Sequence, residues 1–454
     1  MKRSHEIDMT SGPILKKVIM FILPLMASGI LQLLFNAADV IVVGKFAGSL
    51  SLAAVGSTGS LVNLIVNVFI GTATAANVLV SRYYGSQDRY QLSRCVHCAI
   101  GLSGVMGIMV CLIGFFFSTP LLRLMNTDPE VLPLASLYLK IYFLGTPATL
   151  VYNFGAAILR AVGDTERPLR FLIVSGIINV VLNLILVVVF HLDVAGVAIA
   201  TAVSQYVSAV LVVRCLIHTD GVYKLDVRNI RLHGDVVLQL LQIGIPAGLN
   251  GSVFSIANVL IQSSINSFGY VTMAANSAAA NIDGFVYIAA NSVSHAALSF
   301  TSQNYGAKQY QRIKRIIFTC LGVVLLIGIT VGSLAYLFGP QLLSFYVSAA
   351  DPDRDAIIAT GMVRLKIVCL TYALCGIMDM LTGTLRGLGK SWTPMIISAL
   401  GACAFRVVWI YTIFASFRSL EVLYLSYPIS WLITPITQST VLCCLYKKLR
   451  KAQQ

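Results

Sequence analysis

Charge is scarce in this sequence. Asp, Glu, Lys and Arg make up 11% of its 454 residues, where soluble domains carry about 25%. That shortage excludes a chain whose surface lies mostly in water. With 57% hydrophobic residues, most of the mass belongs in a bilayer. Acids are scarcer than bases, 18 against 32. The net charge of +14 invites a nucleic-acid reading, yet no basic face or aromatic platform supports one. The Lys and Arg are scattered over short loops between apolar runs, so nucleic acid is excluded as a partner. The six histidines are dispersed, and no GxxxxGK, GxSxG, HExxH or EF-hand pattern occurs. An enzyme, an ATP-driven pump or a bound cofactor therefore has no support. Cys95 and Cys98 form a single CxxC with no second pair at matching spacing, and Cys443–Cys444 is isolated. Within apolar spans these thiols read as small hydrophobes rather than metal ligands. The opening MKRSHEIDMTSGPILKK lacks the pattern of a cleaved signal, and none is expected.

What the sequence does have is long apolar runs. Runs of about 20 residues read as transmembrane helices. They fall at 14–43, 50–78, 95–119, 131–155, 168–190 and 194–217, and again at 237–265, 272–301, 313–338, 356–384, 394–416 and 420–446. Two of them, 50–78 and 272–301, are rich in Ala, Ser, Thr and Asn, which lets helices approach closely and suits a bundle interior. Basic residues sit in alternate connections. Lys2, Arg3, Lys16 and Lys17 lie before the first span, and Lys447, Lys448, Arg450 and Lys451 after the last. The odd-numbered connections between hold only Lys45, Arg123, Arg354 and Arg418. Under the positive-inside rule both termini are cytoplasmic.

The chain repeats itself. LAAVGSTGS from Leu52 runs into Tyr84-Gly85 and a basic stretch, and MAANSAAAN from Met273 runs into Tyr305-Gly306 and another. LRAVGDTERP (159–168) matches LRGLGKSWTP (385–394), and Pro24 matches Pro246. Residues 1–218 and 236–454 read as two copies of a six-helix unit joined by a polar linker, 219–235. Six is even, so both copies enter from the same side and the repeat is parallel. The fold class is all-α, with two six-helix bundles facing a central cleft.

The first span holds the two unusual residues. Pro24 lacks a backbone N–H and predicts a bend. Asp39 is a carboxylate at membrane depth, which is costly unless it faces a cavity, finds a partner or takes up a proton. It lies about 22 Å beyond Pro24 at 1.5 Å per residue, so a merely solvated acid at the helix end is the competing reading. Asp283 and Asp379 are the other intramembrane acids. Either could meet a cationic substrate, and Asp379 could instead pair with Arg364 or Arg406.

Together these residues resemble the multidrug and toxic compound extrusion (MATE) transporters, in their bacterial DinF-like branch. The resemblance spans essentially the whole chain. It rests on NAADVIVVG in the first span, SRYYGSQD and QNYGAKQ after the second span of each half, and the LRAVGDTERP/LRGLGKSWTP pair. It implies an antiporter that exports organic, mostly cationic compounds across the cell membrane, driven by inward H⁺ or Na⁺ and acting as a monomer. It also implies a polar cluster in the first lobe, to which Asp39, Asn179, Asn183 and Thr201 correspond. Asn179 and Asn183 share a helix face. Having Asn rather than Asp at 183 removes a hard charged ligand and weakens the case for Na⁺. Gln32, Phe35, Tyr152 and Met378 lie on helices expected to line the cavity, with ordinary packing as the alternative. The nearest rival is a lipid-linked oligosaccharide flippase of related architecture, which predicts more spans and a more basic cavity.

Overall fold

The computed structural model describes residues 6–125, 127–347 and 352–451. Lys2 and Arg3 lie outside them. Every regular element among the described residues is helical. In the first half α1 is Ile14–Ala47, α2 Gly48–Gly85, α3 Arg89–Leu124, α5 Glu166–Val189 and α6 Asp193–Ile217. Between α3 and α5, α4 is a pair, Leu132–Leu144 and Thr146–Ala161, bent by 44°. In the second half α7 is Gly234–Asn266, α8 Tyr270–Gly306, α9 Tyr310–Leu337, α11 Trp392–Phe414 and α12 Leu420–Lys451. Here α10 is the bent pair, Arg354–Cys369 and Tyr372–Gly387, at 43°. Counting each pair once, ten helices among the described residues are apolar and long enough to cross a membrane. The remaining two, α2 and α8, are long enough at 38 and 37 residues. Their Ala, Ser, Thr and Asn content makes them less apolar, as suits helices packed by close backbone approach.

The repeat governs backbone detail. The two bends come at Gly145 and at Leu370–Thr371, matching positions in the two halves. Gln87 and Lys308, just past α2 and α8, both take a left-handed φ, 57° and 56°. Gly163 and Gly389 do the same at 91° and 81°, and only glycine adopts that conformation without strain. In α3, Gly107 lets Pro147 of α4 approach, and in α9 Gly328 does the same for Ala373 of α10.

Contacts divide the chain into two units: residues 1–8 with Ala27–Gly248, and Met9–Met26 with Leu249–Gln454. The expected division at the 219–235 linker differs from this. The start of α1 packs within the second unit, and the start of α7 within the first. Both changes of unit come two residues after a proline, Pro24 and Pro246. The cause is close packing. In the first unit α7 presses Gly248 onto the backbone of Gly71 and the Val68 carbonyl of α2, and Gly244 onto Thr72. In the second unit the ring of Phe21 stands edge-on to Phe300, centroids 5.7 Å apart. A side chain at 248 has backbone on its far side, which cannot yield. Gly248→Leu is therefore expected to lower the melting temperature in detergent sharply or prevent accumulation, since overpacking costs about 1–3 kcal/mol or more. Gly251→Leu, where the space is open, should melt like the parent. Equal melting of both variants would show that this contact is unimportant.

The helical backbone of α1 continues through Pro24 and ends in a wide π-turn at Val43–Ala47. At the end of the first unit where α4 meets α5, polar groups form a hub. Asp164 is fully buried, accepts from the Arg167 backbone N–H at 3.0 Å and pairs with its guanidinium. Arg167 Nη2 donates to Tyr223 Oη at 3.1 Å, and Tyr223 donates to Glu6 Oε1 at 2.8 Å. Burial pushes the Tyr223 phenol up to about 12, so it remains a donor. The linker is also tied down by His97. Its Nδ1 donates to the Ser93 carbonyl at 2.7 Å, which leaves Nε2 to accept from the Asp226 N–H at 2.9 Å.

Candidate functional site

Three helices of the first unit bring their polar residues together. Asn183 on α5 donates from Nδ2 to Asp39 Oδ1 on α1, and more weakly to Asn179 Oδ1 at 3.4 Å. Asn179 Nδ2 reaches Thr201 Oγ1 on α6 at 3.5 Å, and the Thr201 hydroxyl also hydrogen-bonds Asp39. Asn183 is fully buried, Asn179 nearly so, and Asp39 partly. Asp39 is thus held by two helices besides its own, which a merely solvated acid would not be. The i, i+4 spacing of the asparagines puts both amides on the face of α5 that meets α1 and α6.

One atom is left over. Asn183 Oδ1 is buried with no hydrogen-bond partner. An unsatisfied buried acceptor costs about 1–3 kcal/mol, and a cation removes that cost. The oxygens gathered here are the Asp39 carboxylate, the Asn179 and Asn183 amide oxygens and the Thr201 hydroxyl. They are hard donors of the kind that suit Na⁺ or a proton on the carboxylate, with a single formal charge among them. The wide turns Val43–Ala47 and Leu184–Val189 follow closely on Asp39 and Asn183, and such π-turns frequently mark functional sites.

Two contributors went unread in the sequence. Gln205, one turn after Thr201, leaves its Oε1 buried and without a partner and bonds the Tyr142 hydroxyl. Tyr138 lies within electrostatic reach of Asp39 and stacks on Tyr142, centroids 6.1 Å apart. Their i, i+4 spacings, 201/205 and 138/142, were the available signal. Of the expected cavity residues in this unit, Gln32 is exposed. Phe35 lies against Gly176 of α5, where any side chain would collide with its ring. Tyr152 donates its hydroxyl to the Pro168 carbonyl at 3.1 Å and acts as a tie between α4 and α5.

Comparison with known proteins puts a family on this arrangement. The MatE family matches twice, over residues 24–185 and 246–412. The two matches begin at Pro24 and Pro246 and together cover most of the chain. The chain belongs to the MatE family. Relatives of this MATE protein include the "Probable multidrug resistance protein YpnP" of Bacillus subtilis (strain 168), 27% identical over 393 residues, 87% of each chain. The "Multidrug export protein MepA" of Staphylococcus aureus (strain NCTC 8325 / PS 47) is 22% identical over 412 residues, 90% of each. Among solved structures, "Crystal structure of MATE in the straight conformation" superposes with a TM-score of 0.90 at 22% identity, covering 99% of this chain and 100% of that one. The fold is that of the MATE transporters, twelve helices in two bundles, and the chain is a multi-pass membrane transporter of small molecules.

The acids of the second unit have different surroundings in this MATE transporter. Asp283 on α8 was a candidate contact for a cationic substrate. The structure instead engages it with Arg364 of α10, which donates from Nε at 3.0 Å and Nη2 at 2.6 Å. Arg364 also donates to Asn276 at 2.7 Å and lies over the rings of Tyr424 and Tyr427. A carboxylate sealed by its own arginine is not available to cargo. Arg364 is thus the partner of Asp283 rather than of Asp379. Arg406 stacks on Tyr427 at 4.3 Å and donates to Ser430. Met378, also expected in the cavity, is 2% exposed and sits inside an apolar cluster with Val286, Cys375 and Tyr427. Its place on α10 faces α8 and α12, so it packs instead of lining open space. Asp379 remains partly exposed and accepts from Asn291 at 3.4 Å.

Proposed function

We propose that this MATE transporter exports organic, mostly cationic drug-like compounds across the cytoplasmic membrane in exchange for inward H⁺ or Na⁺. It works as a monomer with both termini in the cytoplasm. The coupling ion occupies the cluster of Asp39, Asn179, Asn183 and Thr201. The observation that carries this reading is the orphan Asn183 Oδ1 beside an intramembrane carboxylate, since a cation or a protonated acid relieves both costs at once. Export of drug-like compounds is supported by relatives named for multidrug resistance and multidrug export. Charging the cluster from outside and binding a cationic cargo are mutually disfavoured, so cargo leaves as the ion enters. Two conformations with different ion affinity are all that such coupling requires.

The test is transport in proteoliposomes with an imposed H⁺ or Na⁺ gradient, applied one at a time. At least one gradient should drive cationic dye movement, and indifference to both removes the antiport reading. Asn183→Asp restores a second charged ligand. Hard cations favour added carboxylates, so the variant should gain dependence on Na⁺ relative to H⁺. An unchanged ion preference would place the coupling ion elsewhere.

A further inference from the structure

The second unit carries a lateral groove that neither the ion cluster nor the cargo reading uses. It runs between α12 and the second half of α10 and has a volume of about 590 Å³. Its floor is one stripe of α12, on which Pro435, Ser439, Thr440 and Cys444 recur every three to five positions and so share a face. Their side chains are small, while Leu432 and Ile436 beside them stand out, 50% and 59% exposed. That contrast in size is what makes a furrow. The Thr440 hydroxyl is returned to the Ile436 carbonyl at 3.0 Å, so it adds little polarity. Leu374 and Ile377 of α10 form the facing wall. Trp431 closes one end, its ring 5.3 Å from that of Tyr372.

The other end is different. Lys447 lies on the rim, and Lys451 follows one turn on, on the same face. Both are exposed, and no ion pair joins either to an acid among the described residues. No acid lines the groove. From Leu432 to Lys447 the stripe is about 22 Å long at 1.5 Å per residue, close to the depth of one leaflet, half of about 40–45 Å with its headgroups. Residues 420–449 form one of the apolar spans, so in a bilayer the groove opens to lipid. A second apolar groove lies between α8 and α9, lined by Phe285, Leu334 and Phe338, with a volume of about 540 Å³. None of its lining residues is charged. The groove on α12 thus pairs an apolar trough with a free cation at its mouth.

We infer that the groove between α10 and α12 is a binding site for an anionic phospholipid, with an acyl chain along the Trp431–Cys444 stripe and the phosphate at Lys447. Each half answers a distinct part of the lipid. The apolar trough gains from every methylene it covers. An ammonium at headgroup depth attracts an anionic headgroup over a zwitterionic one. The site lies apart from the Asp39 cluster, and the inference does not depend on which ion or cargo is transported.

Native mass spectrometry of the purified full chain tests it, with phosphatidylglycerol or phosphatidylcholine added to the micelles at equal amounts. The parent should retain phosphatidylglycerol about fivefold more tightly, the preference one basic side chain supplies. Lys447→Gln should remove that preference, and Lys447→Arg should keep it. Lys448→Gln should change it by less than about twofold, since this exposed lysine is off the groove and is screened within about 8 Å at physiological salt. Thr440→Trp fills the trough and should lower retention of both lipids, with Ser439→Phe as the substitute if it does not accumulate. Excess inorganic phosphate should leave the bound lipid in place, because it lacks the chain. Equal retention of the two lipids by the parent overturns the site. So do equal losses in Lys447→Gln and Lys448→Gln, which would mean only a general attraction to a basic helix end. Normal retention in the groove-filled variants, or displacement by phosphate, likewise overturns it.

Discussion

Asp39→Asn is expected to abolish gradient-driven transport while leaving the protein folded. The amide is the same shape, and its oxygen can still accept from Asn183 Nδ2, which now bonds the carboxylate. What it cannot do is carry a charge that an incoming ion or proton neutralises. Dye movement driven by an H⁺ or Na⁺ gradient in vesicles should fall by about tenfold or more, since each factor of ten corresponds to about 1.4 kcal/mol of lost ion binding. Melting in detergent should stay near that of the parent, because the neighbours Asn179 and Thr201 keep their mutual contact. Undiminished transport in this variant would remove Asp39 from the coupling mechanism. Loss of transport together with loss of folding would assign it a structural role instead.

The second large effect belongs to stability. Arg364→Ala leaves the buried Asp283 carboxylate without its partner, and Asp283→Ala strands the guanidinium. Each should destabilise the protein by about 3–5 kcal/mol, the cost of breaking a buried pair from one side. Both side chains are about 10% exposed, so water cannot take over. The double variant Asp283→Leu with Arg364→Met removes both charges and should recover most of the loss, because apolar replacements of a buried pair are often neutral. Asn276 and Tyr424 donate to or accept from the same cluster, so recovery should be incomplete. Denaturation in detergent reads all three variants. A double variant no better than the worse single one would mean that the ion pair itself, and not the avoidance of an unpaired charge, holds α8 to α10.

These two acids also mark how far the sequence could be read. Asp39 was legible because its own span is otherwise apolar, and a charge there demands a reason. Its partners Asn179 and Asn183 were legible as a pair because i, i+4 spacing fixes a common face. Asp283 was equally visible as an intramembrane acid, but its partner Arg364 is 81 positions away. Nothing local selects Arg364 over Arg406. Met378 shows the same limit. Its neighbour Asp379 is partly exposed, yet the 100° step between successive helical residues turns Met378 into the core.

The sequence by itself determined the twelve spans, the parallel repeat, and the pairing of Pro24 with Pro246 across it. These are properties of hydrophobic run length and of similarity within the chain, and local physics is sufficient for them. Only the tertiary structure decided that the halves of α1 and α7 on either side of those prolines pack with different units. That follows from Gly71 meeting Gly248 and Phe21 meeting Phe300, contacts whose partners lie far apart in the chain. It likewise decided that α1, α5 and α6 turn their polar faces to one another, leaving one buried oxygen unsatisfied beside Asp39. Helical periodicity says which residues share a face, but only the packing of whole helices says what that face meets.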